Sequence, residues 1–212
     1  MIILETRAVA PFFKNGFVVG CERTREAVVI DPGDEAGQLI AAVEQHTLTV
    51  THILLTHAHF DHVSGVTEMK EAFNAPIYLH RDDLPLYRFA MQQGQLFGVE
   101  IAQPPDIDVF YGSDPVKFGD YAIHAHHTPG HCPGGVCLRL ENHLFVGDTL
   151  FAGGIGRTDL PGGNYDVLMR SITQVLFVLG DDSLVHPGHG ADTTIGRERR
   201  TNPFVLEYLS PR

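Results

Sequence analysis

The sequence predicts an α/β fold, a layered sandwich of two sheets with helices on the outside. Two observations predict it. Strand-like runs followed by helical runs occur in that order twice along the chain, which suits two sheets with helices packed outside them. Four strand-like runs also end in His or Asp, three of them beside Gly or Pro, where side chains from distant strands can converge on one edge. No short-period repeat is visible.

Each element has its own signal. Gly16 to Cys21 and Ala27 to Asp31 read as apolar strands joined by the charged turn Glu22-Arg23-Thr24-Arg25, and Asp31-Pro32-Gly33 stops the second. Ala36 to His46 has helical spacing, with Leu39, Ile40 and Val43 on one face. Ile53-Leu54-Leu55-Thr56 is a short buried strand. A helix follows from about Val63 to Phe73, then a strand from Pro76 to Leu79. Arg81 to Gln93 reads as helical, with Pro85 marking a break or a first turn. Gly94 to Pro105 has weak periodicity and supports no assignment. The second strand block comprises Ile107 to Tyr111, Pro115 to Phe118, Tyr121 to His127, Gly135 to Leu140 and Leu144 to Gly147. Tyr165 to Leu179 reads as a helix and Leu184 to His186 as the last strand.

At 212 residues the expectation is one domain spanning 1–212, since nothing reads as a linker. A formal net charge of −11 argues against nucleic acid, which a basic stripe would bind. The one basic run, Arg197-Glu198-Arg199-Arg200, is short and interrupted. Cys21, Cys132 and Cys137 are odd in number and lack CxxC spacing, so no disulfide framework is expected. Met1-Ile2-Ile3-Leu4-Glu5 meets a charge too early for a signal peptide, and no apolar run would span a bilayer. A cytoplasmic protein with no nucleic-acid or membrane partner is expected; nothing in the sequence indicates an oligomeric state.

The run His57-Ala58-His59-Phe60-Asp61-His62 places four metal-capable side chains within six residues, where a strand ends. Alternate residues of an extended stretch face one side, so His57 and His59 can share an ion. Asp61 and His62 lie past the bend and can face a second ion. His131 in Thr128-Pro129-Gly130-His131, Asp148 in Val146-Gly147-Asp148-Thr149 and His189 in Pro187-Gly188-His189-Gly190 occupy three further strand-to-loop junctions. Nitrogen and carboxylate donors suit zinc, iron or manganese. The remaining histidines, His46, His52, His80, His124, His126, His127, His143 and His186, have no ligand spacing and read as surface or core residues.

The HxHxDH run followed in order by TPGH, GD and PGH resembles the metallo-β-lactamase fold superfamily over nearly the whole chain. The resemblance implies an αββα sandwich with the metal site at one edge of the two sheets. It implies a first ion on His57, His59 and His131, a second on Asp61, His62 and His189, and Asp148 bridging. Two divalent ions are expected, zinc first, with iron or manganese as alternatives. Gly147 to Phe151, Gly154 to Asp159 and Thr194 to Pro203 further resemble the short bacterial glyoxalase II-like thioesterases. The reaction this implies is hydrolysis of S-(2-hydroxyacyl)glutathione, such as S-lactoylglutathione, to a hydroxy acid and glutathione.

That chemistry fits the residues. Two cations ~3.5–4 Å apart lower the pKa of bound water from about 15.7 toward ~7, and so supply a metal-bound hydroxide. A thiol of pKa ~8.5 then leaves as thiolate without a dedicated acid. Asp61 and Asp148 are the expected catalytic carboxylates, Asp61 doubling as a proton shuttle. Arg157, where longer glyoxalase II enzymes place a glutathione-contacting Lys, and Phe151 are the expected substrate contacts; Leu160 is a further candidate for the channel wall. Arg157 can instead pair with Asp159. Asp159 and Ala191 stand where those enzymes have Tyr, and their extra C-terminal helical domain is not expected here. Cys132, next to a ligand, is read as a small buried residue.

The rival reading is a mononuclear-iron glutathione persulfide dioxygenase, which shares HxHxDH and the Gly156-Arg157-Thr158-Asp159 run. Pro187-Gly188-His189-Gly190 differs from the PAHDY-like motif of those enzymes and favours the hydrolase. A β-lactamase, an RNA-processing nuclease, an acyl-homoserine lactonase and a catalytically silent scaffold are weaker alternatives.

Overall fold

The computed structural model describes residues 1–210 and forms a four-layer αββα sandwich. The first sheet contains β1 (Ile2–Arg7), β2 (Gly16–Cys21), β3 (Glu26–Ile30), β4 (Thr49–Leu54), β5 (Ile77–Leu79) and β6 (Val109–Phe110), in that spatial order. The second contains β7 (Val116–Phe118), β8 (Tyr121–His127), β9 (Val136–Leu140), β10 (His143–Gly147), β13 (Leu184–Pro187) and β14 (Thr193–Thr194), ordered β14-β13-β10-β9-β8-β7. A small hairpin, β11 (Leu150–Phe151) with β12 (Gly154–Ile155), lies between them in sequence.

Alternation along the strands creates three apolar layers. Phe17 and Val19 of β2 and Val28 and Ile30 of β3 meet Phe118, Ile123, Leu138 and Phe145 between the sheets. The residues between them, Val18, Ala27 and Val29, face the other way, against helices α1 (Ala36–Gln45) and α3 (Val66–Phe73). Both faces are covered, so these strands read as continuous apolar runs. On the far side, Leu144, Val146 and Val185 pack on α6 (Tyr165–Arg170) and on α7 (Ile195–Thr201) and α8 (Pro203–Leu209).

The ligand-bearing strands emerge on one edge by topology. β9 is antiparallel to both β8 and β10, and β13 is parallel to β10, so β8, β10 and β13 all point the same way. Their C-terminal ends lead to His131, Asp148 and His189. The end of β4 joins them through a hydrogen bond from Val136 N to Thr56 O (2.8 Å), while Gly188 N to Gly147 O (2.8 Å) ties the ends of β13 and β10 together and Asn15 N to Gly188 O (2.6 Å) ties in the segment before β2.

Several elements differ from the sequence expectation, each with a local cause. β4 starts earlier, at Thr49, and ends at Leu54 because Asp31 captures both the N–H (2.6 Å) and hydroxyl (2.5 Å) of Thr56. The helix expected from Val63 is split into α2 (Phe60–Val63) and α3, because Gly65 N bonds to Pro32 O (3.0 Å). Arg81 to Gln93 divides into a 3₁₀ turn (Arg81–Asp83), α4 (Leu84–Arg88) with Pro85 in its first turn, and α5 (Ala90–Leu96). The helix expected over Tyr165 to Leu179 is α-helical only through Arg170; Ser171–Leu176 is π-wound and Phe177–Leu179 is 3₁₀. β1, the β11–β12 hairpin, β14, α7 and α8 were not expected. Thr194 and Asn202 cap the last two helices, accepting from Arg197 N (3.2 Å) and Phe204 N (3.1 Å).

Candidate metal centre

All seven expected ligand residues meet at this edge. His57, His59 and His131 each offer a ligand atom within 4.8 Å of the others, and Asp61, His62 and His189 form a second such trio. Asp148 stands between the trios. Its Oδ1 lies 3.4 Å from His62 Nε2, and its Oδ2 lies 3.6 Å from His131 Nε2 and 3.7 Å from His189 Nε2. Gly188 has no room for a side chain, since a Cβ there would meet Asp148 Oδ1 at 2.2 Å and His62 Cε1 at 2.6 Å.

Hydrogen bonds behind the rings decide which nitrogen faces inward. His131 Nδ1 faces Arg157 O (2.7 Å) and His189 Nδ1 faces Phe12 O (3.2 Å). A carbonyl only accepts, so both Nδ1 atoms donate and both Nε2 atoms keep a lone pair. His62 Nδ1 donates to Asp31 Oδ2 (3.0 Å) in the same way. Thr56 gives its hydroxyl proton to Asp31, so its oxygen accepts from His57 Nδ1 (3.1 Å). Four imidazoles are therefore locked with Nε2 toward the cluster. Nε2 of His57, His62 and His131, with Asp148 Oδ1, are buried without a hydrogen-bond partner. Buried polar atoms are ordinarily satisfied, so these orphaned atoms fit a donor set for cations.

The electrostatics agree. Burial, reinforced by His62, pushes His57 well below its ordinary range; burial and His131 push His59 down to about 3. Burial opposes charge on His62 too, but Asp148, Asp61 and Asp31 lift it to about 10. Burial likewise opposes ionisation of Asp148, yet His62, His131 and His57 hold its carboxyl well below the usual range. Asp61 is lowered against its own burial by His62 and His189.

Beneath the ligands lies a layer that sequence reasoning missed. Asp31 also falls within reach of His57 and His62 as a possible ligand group, but its carboxylate is occupied by Thr56 and His62 Nδ1. Buried Lys14 binds Asp31 O and Glu35, and its backbone bridges to His189. Asp31-Pro32-Gly33 carried only a turn signal, and Lys14 and Glu35 carried none.

A cavity of ≈180 Å³ opens over the cluster. His59, Asp61, His131, Asp148 and His189 form its floor, and Phe12, Phe60, Phe97 and Leu160 an apolar wall. Phe60 stacks on Phe97 (5.1 Å) and meets Phe12 edge-on (5.0 Å). Arg157 lines the rim and is bound in a bidentate, exposed pair with Asp159 at 2.8 Å, as its ion-pair reading expected. Phe151, the other expected substrate contact, is outside the lining of this cavity and stands edge-on to His189, 6.4 Å between ring centres. Cys132 is buried behind the ligands against Asp83, not in the cavity.

The other histidines stand outside the centre. His186 is buried and bonds His143 (2.9 Å). His80, Asp82 and His127 approach one another, but the two rings stack only 10° from parallel, so no single ion lies in both ring planes. Arg199 and Arg200 pair with Asp181, as a salt-bridged C-terminal segment would.

A four-layer sandwich carrying a His/Asp donor set on one sheet edge defines a metal-binding enzyme class. The metallo-beta-lactamase superfamily profile matches residues 9–189, and the chain belongs to that superfamily. It is 39% identical to the hydroxyacylglutathione hydrolase GloC of Haemophilus influenzae, over 95% of this chain and 97% of that protein. Among solved structures it resembles the BLEG-1 B3 metallo-beta-lactamase (TM-score 0.87, 35% identity, 96% of this chain and 99% of that one). It also resembles TTHA1623 in a di-iron-bound form (0.86, 40%, 94% and 99%) and ETHE1 from Myxococcus xanthus (0.79, 28%, 99% and 92%). Among the described residues no helix is long and apolar enough to cross a membrane.

Proposed function

We propose that this chain is a two-metal hydrolase that cleaves thioesters of S-(2-hydroxyacyl)glutathione, such as S-lactoylglutathione, as a single-domain cytoplasmic enzyme. The observation that carries the reading is Asp148, whose carboxylate stands between the two His trios, while Nε2 of His57, His62 and His131 has no hydrogen-bond partner. His57, His59 and His131 would hold one ion, Asp61, His62 and His189 the other, and Asp148 both. Zinc suits the donors, and iron or manganese also fit. The likeness to the di-iron form of TTHA1623 supports two ions and keeps iron in play.

Bound divalent ions supply an activated water and polarise a carbonyl oxygen. The chain's own residues do the rest. Asp148 and Asp61, held ionised by the surrounding imidazoles, orient what enters the cavity floor, and Asp61 is placed to accept a proton there. The apolar wall of Phe12, Phe60 and Phe97 limits water at the reacting carbon. A thiolate leaves without a proton donor, and the cavity needs none. The 39% identity to GloC supports glutathione as the thiol, and Arg157 at the rim is the cation that would meet a glutathione carboxylate.

A mononuclear-iron glutathione persulfide dioxygenase is the second reading, carried by Gly156-Arg157-Thr158-Asp159 and the likeness to ETHE1. The test is turnover by the metal-replete enzyme of S-lactoylglutathione, the same acyl group on a thiol other than glutathione, a β-lactam, and glutathione persulfide with oxygen. Fastest turnover on the glutathione thioester without oxygen uptake supports the proposal. Equal rates on both thioesters would remove glutathione, and turnover only of the β-lactam or the persulfide would remove the thioesterase.

A further inference from the structure

Asp83 is fully buried, and among the described residues it forms no salt bridge. It sits at the N-cap of α4, a position where Asp ordinarily accepts from its own helix, yet its side chain makes no capping bond. Its carboxylate turns toward the metal centre instead. Oδ2 accepts from Ala58 N (3.0 Å) and Cys132 Sγ (3.2 Å), and Oδ1 accepts from Gly134 N (2.5 Å). Every partner is a donor, which is the environment of an ionised, acceptor-only carboxylate.

The three donors come from the two loops that carry the first trio. Ala58 lies between His57 and His59; Cys132 follows His131, and Gly134 is two residues further on. The approach is close enough that a Cβ on Gly134 would meet Asp83 N at 2.6 Å and its Cβ and Cγ at 2.8 Å. The second trio is supported instead by Phe12 O and the Lys14 backbone at His189 and by Asp31 at His62, although Asp31 also reaches His57 through Thr56. We propose that Asp83 is a positioning residue that clasps the His57–His59 loop to the His131 loop and so sets the metal affinity of the first trio alone. Cys132 is held in this clasp as a donor to Asp83 Oδ2 rather than as a ligand. The proposal rests on the ligand assignment above but not on any substrate.

Asp83→Asn tests it, since the isosteric amide must turn an NH₂ toward one of the three donors. Outer partners of metal ligands are worth about 10- to 100-fold in affinity. Chelator competition with zinc should show a loss of that order for one of the two ions, and no effect of Asp83→Asn on the ion remaining in a His59→Ala background. In the metal-free protein, amide hydrogen exchange should quicken at Ala58 and Gly134. Cys132→Ala, which removes one donor and keeps the charge, should give the same pattern more weakly, and serves if Asp83→Asn does not fold. Unchanged affinity for both ions, or equal loss of both, in folded protein would overturn the proposal. If instead His59→Ala left zinc binding intact, the ligand assignment would be at fault.

Discussion

Asp31 Oδ2 accepts a hydrogen bond from His62 Nδ1 at 3.0 Å, and this contact turns the other ring nitrogen of His62 toward Asp148. The same carboxylate holds Thr56, which in turn orients His57. One aspartate thus aims a ring in each trio. Asp31→Asn keeps a residue type that tolerates the positive φ of 47°, but it places an amide against His62 Nδ1 or Thr56. Metal affinity is expected to fall by about 10- to 100-fold while the fold survives. Metal retention on dialysis against a chelator, beside circular dichroism, checks this.

Metal binding should release a proton at neutral pH. In the metal-free protein His62 is raised to about 10, whereas His57 and His59 are depressed and already neutral. An ion on His62 Nε2 must displace that proton, so affinity rises with pH until about 10. The sign for stability is opposite. The folded-state value lies above the unfolded ~6.5, so the contribution of His62 is complete below that pH and is lost as pH climbs toward 10. Calorimetric titration of zinc at pH 7.5 in two buffers of different ionisation enthalpy measures the release; identical heats would refute it.

Arg157→Ala should raise KM and leave kcat nearly unchanged, because the guanidinium stands at the rim rather than among the ligands. Its pair with Asp159 is exposed and screened by solvent, so Asp159→Ala should leave the urea midpoint nearly unchanged. Steady-state kinetics and urea titration read the two effects. An unchanged KM in Arg157→Ala would end its substrate role.

Phe145 is buried between the sheets, 5.0 Å from Phe17 and from His186. Phe145→Ala should cost about 3–5 kcal/mol, as a cavity there cannot collapse without moving both sheets. The urea midpoint should drop accordingly, and a change below ~1 kcal/mol would contradict the packing described.

The ligands themselves were legible because His and Asp at strand ends beside Gly or Pro have no ordinary packing role. The strands from Gly16 and Tyr121 were legible for a similar reason, since burial on one or both faces writes a clear pattern. What supports the ligands was not. Asp31 carried only a turn signal, and Asp83 and Lys14 carried none, because their partners lie 17 to 51 residues away. Two-residue strands such as Val109–Phe110 and Leu150–Phe151 are too short to show any period. The helical periodicity of Tyr165 to Leu179 was real, but it does not distinguish α from π winding.

The hydrolysis rate of S-lactoylglutathione, followed as zinc is added to the metal-free protein, decides whether this chain is a two-ion thioester hydrolase. The rate should reach its maximum only at two equivalents per chain, without oxygen uptake. A rate already maximal at one equivalent, or no hydrolysis at two equivalents alongside oxygen consumption with glutathione persulfide by the iron-loaded protein, would contradict it.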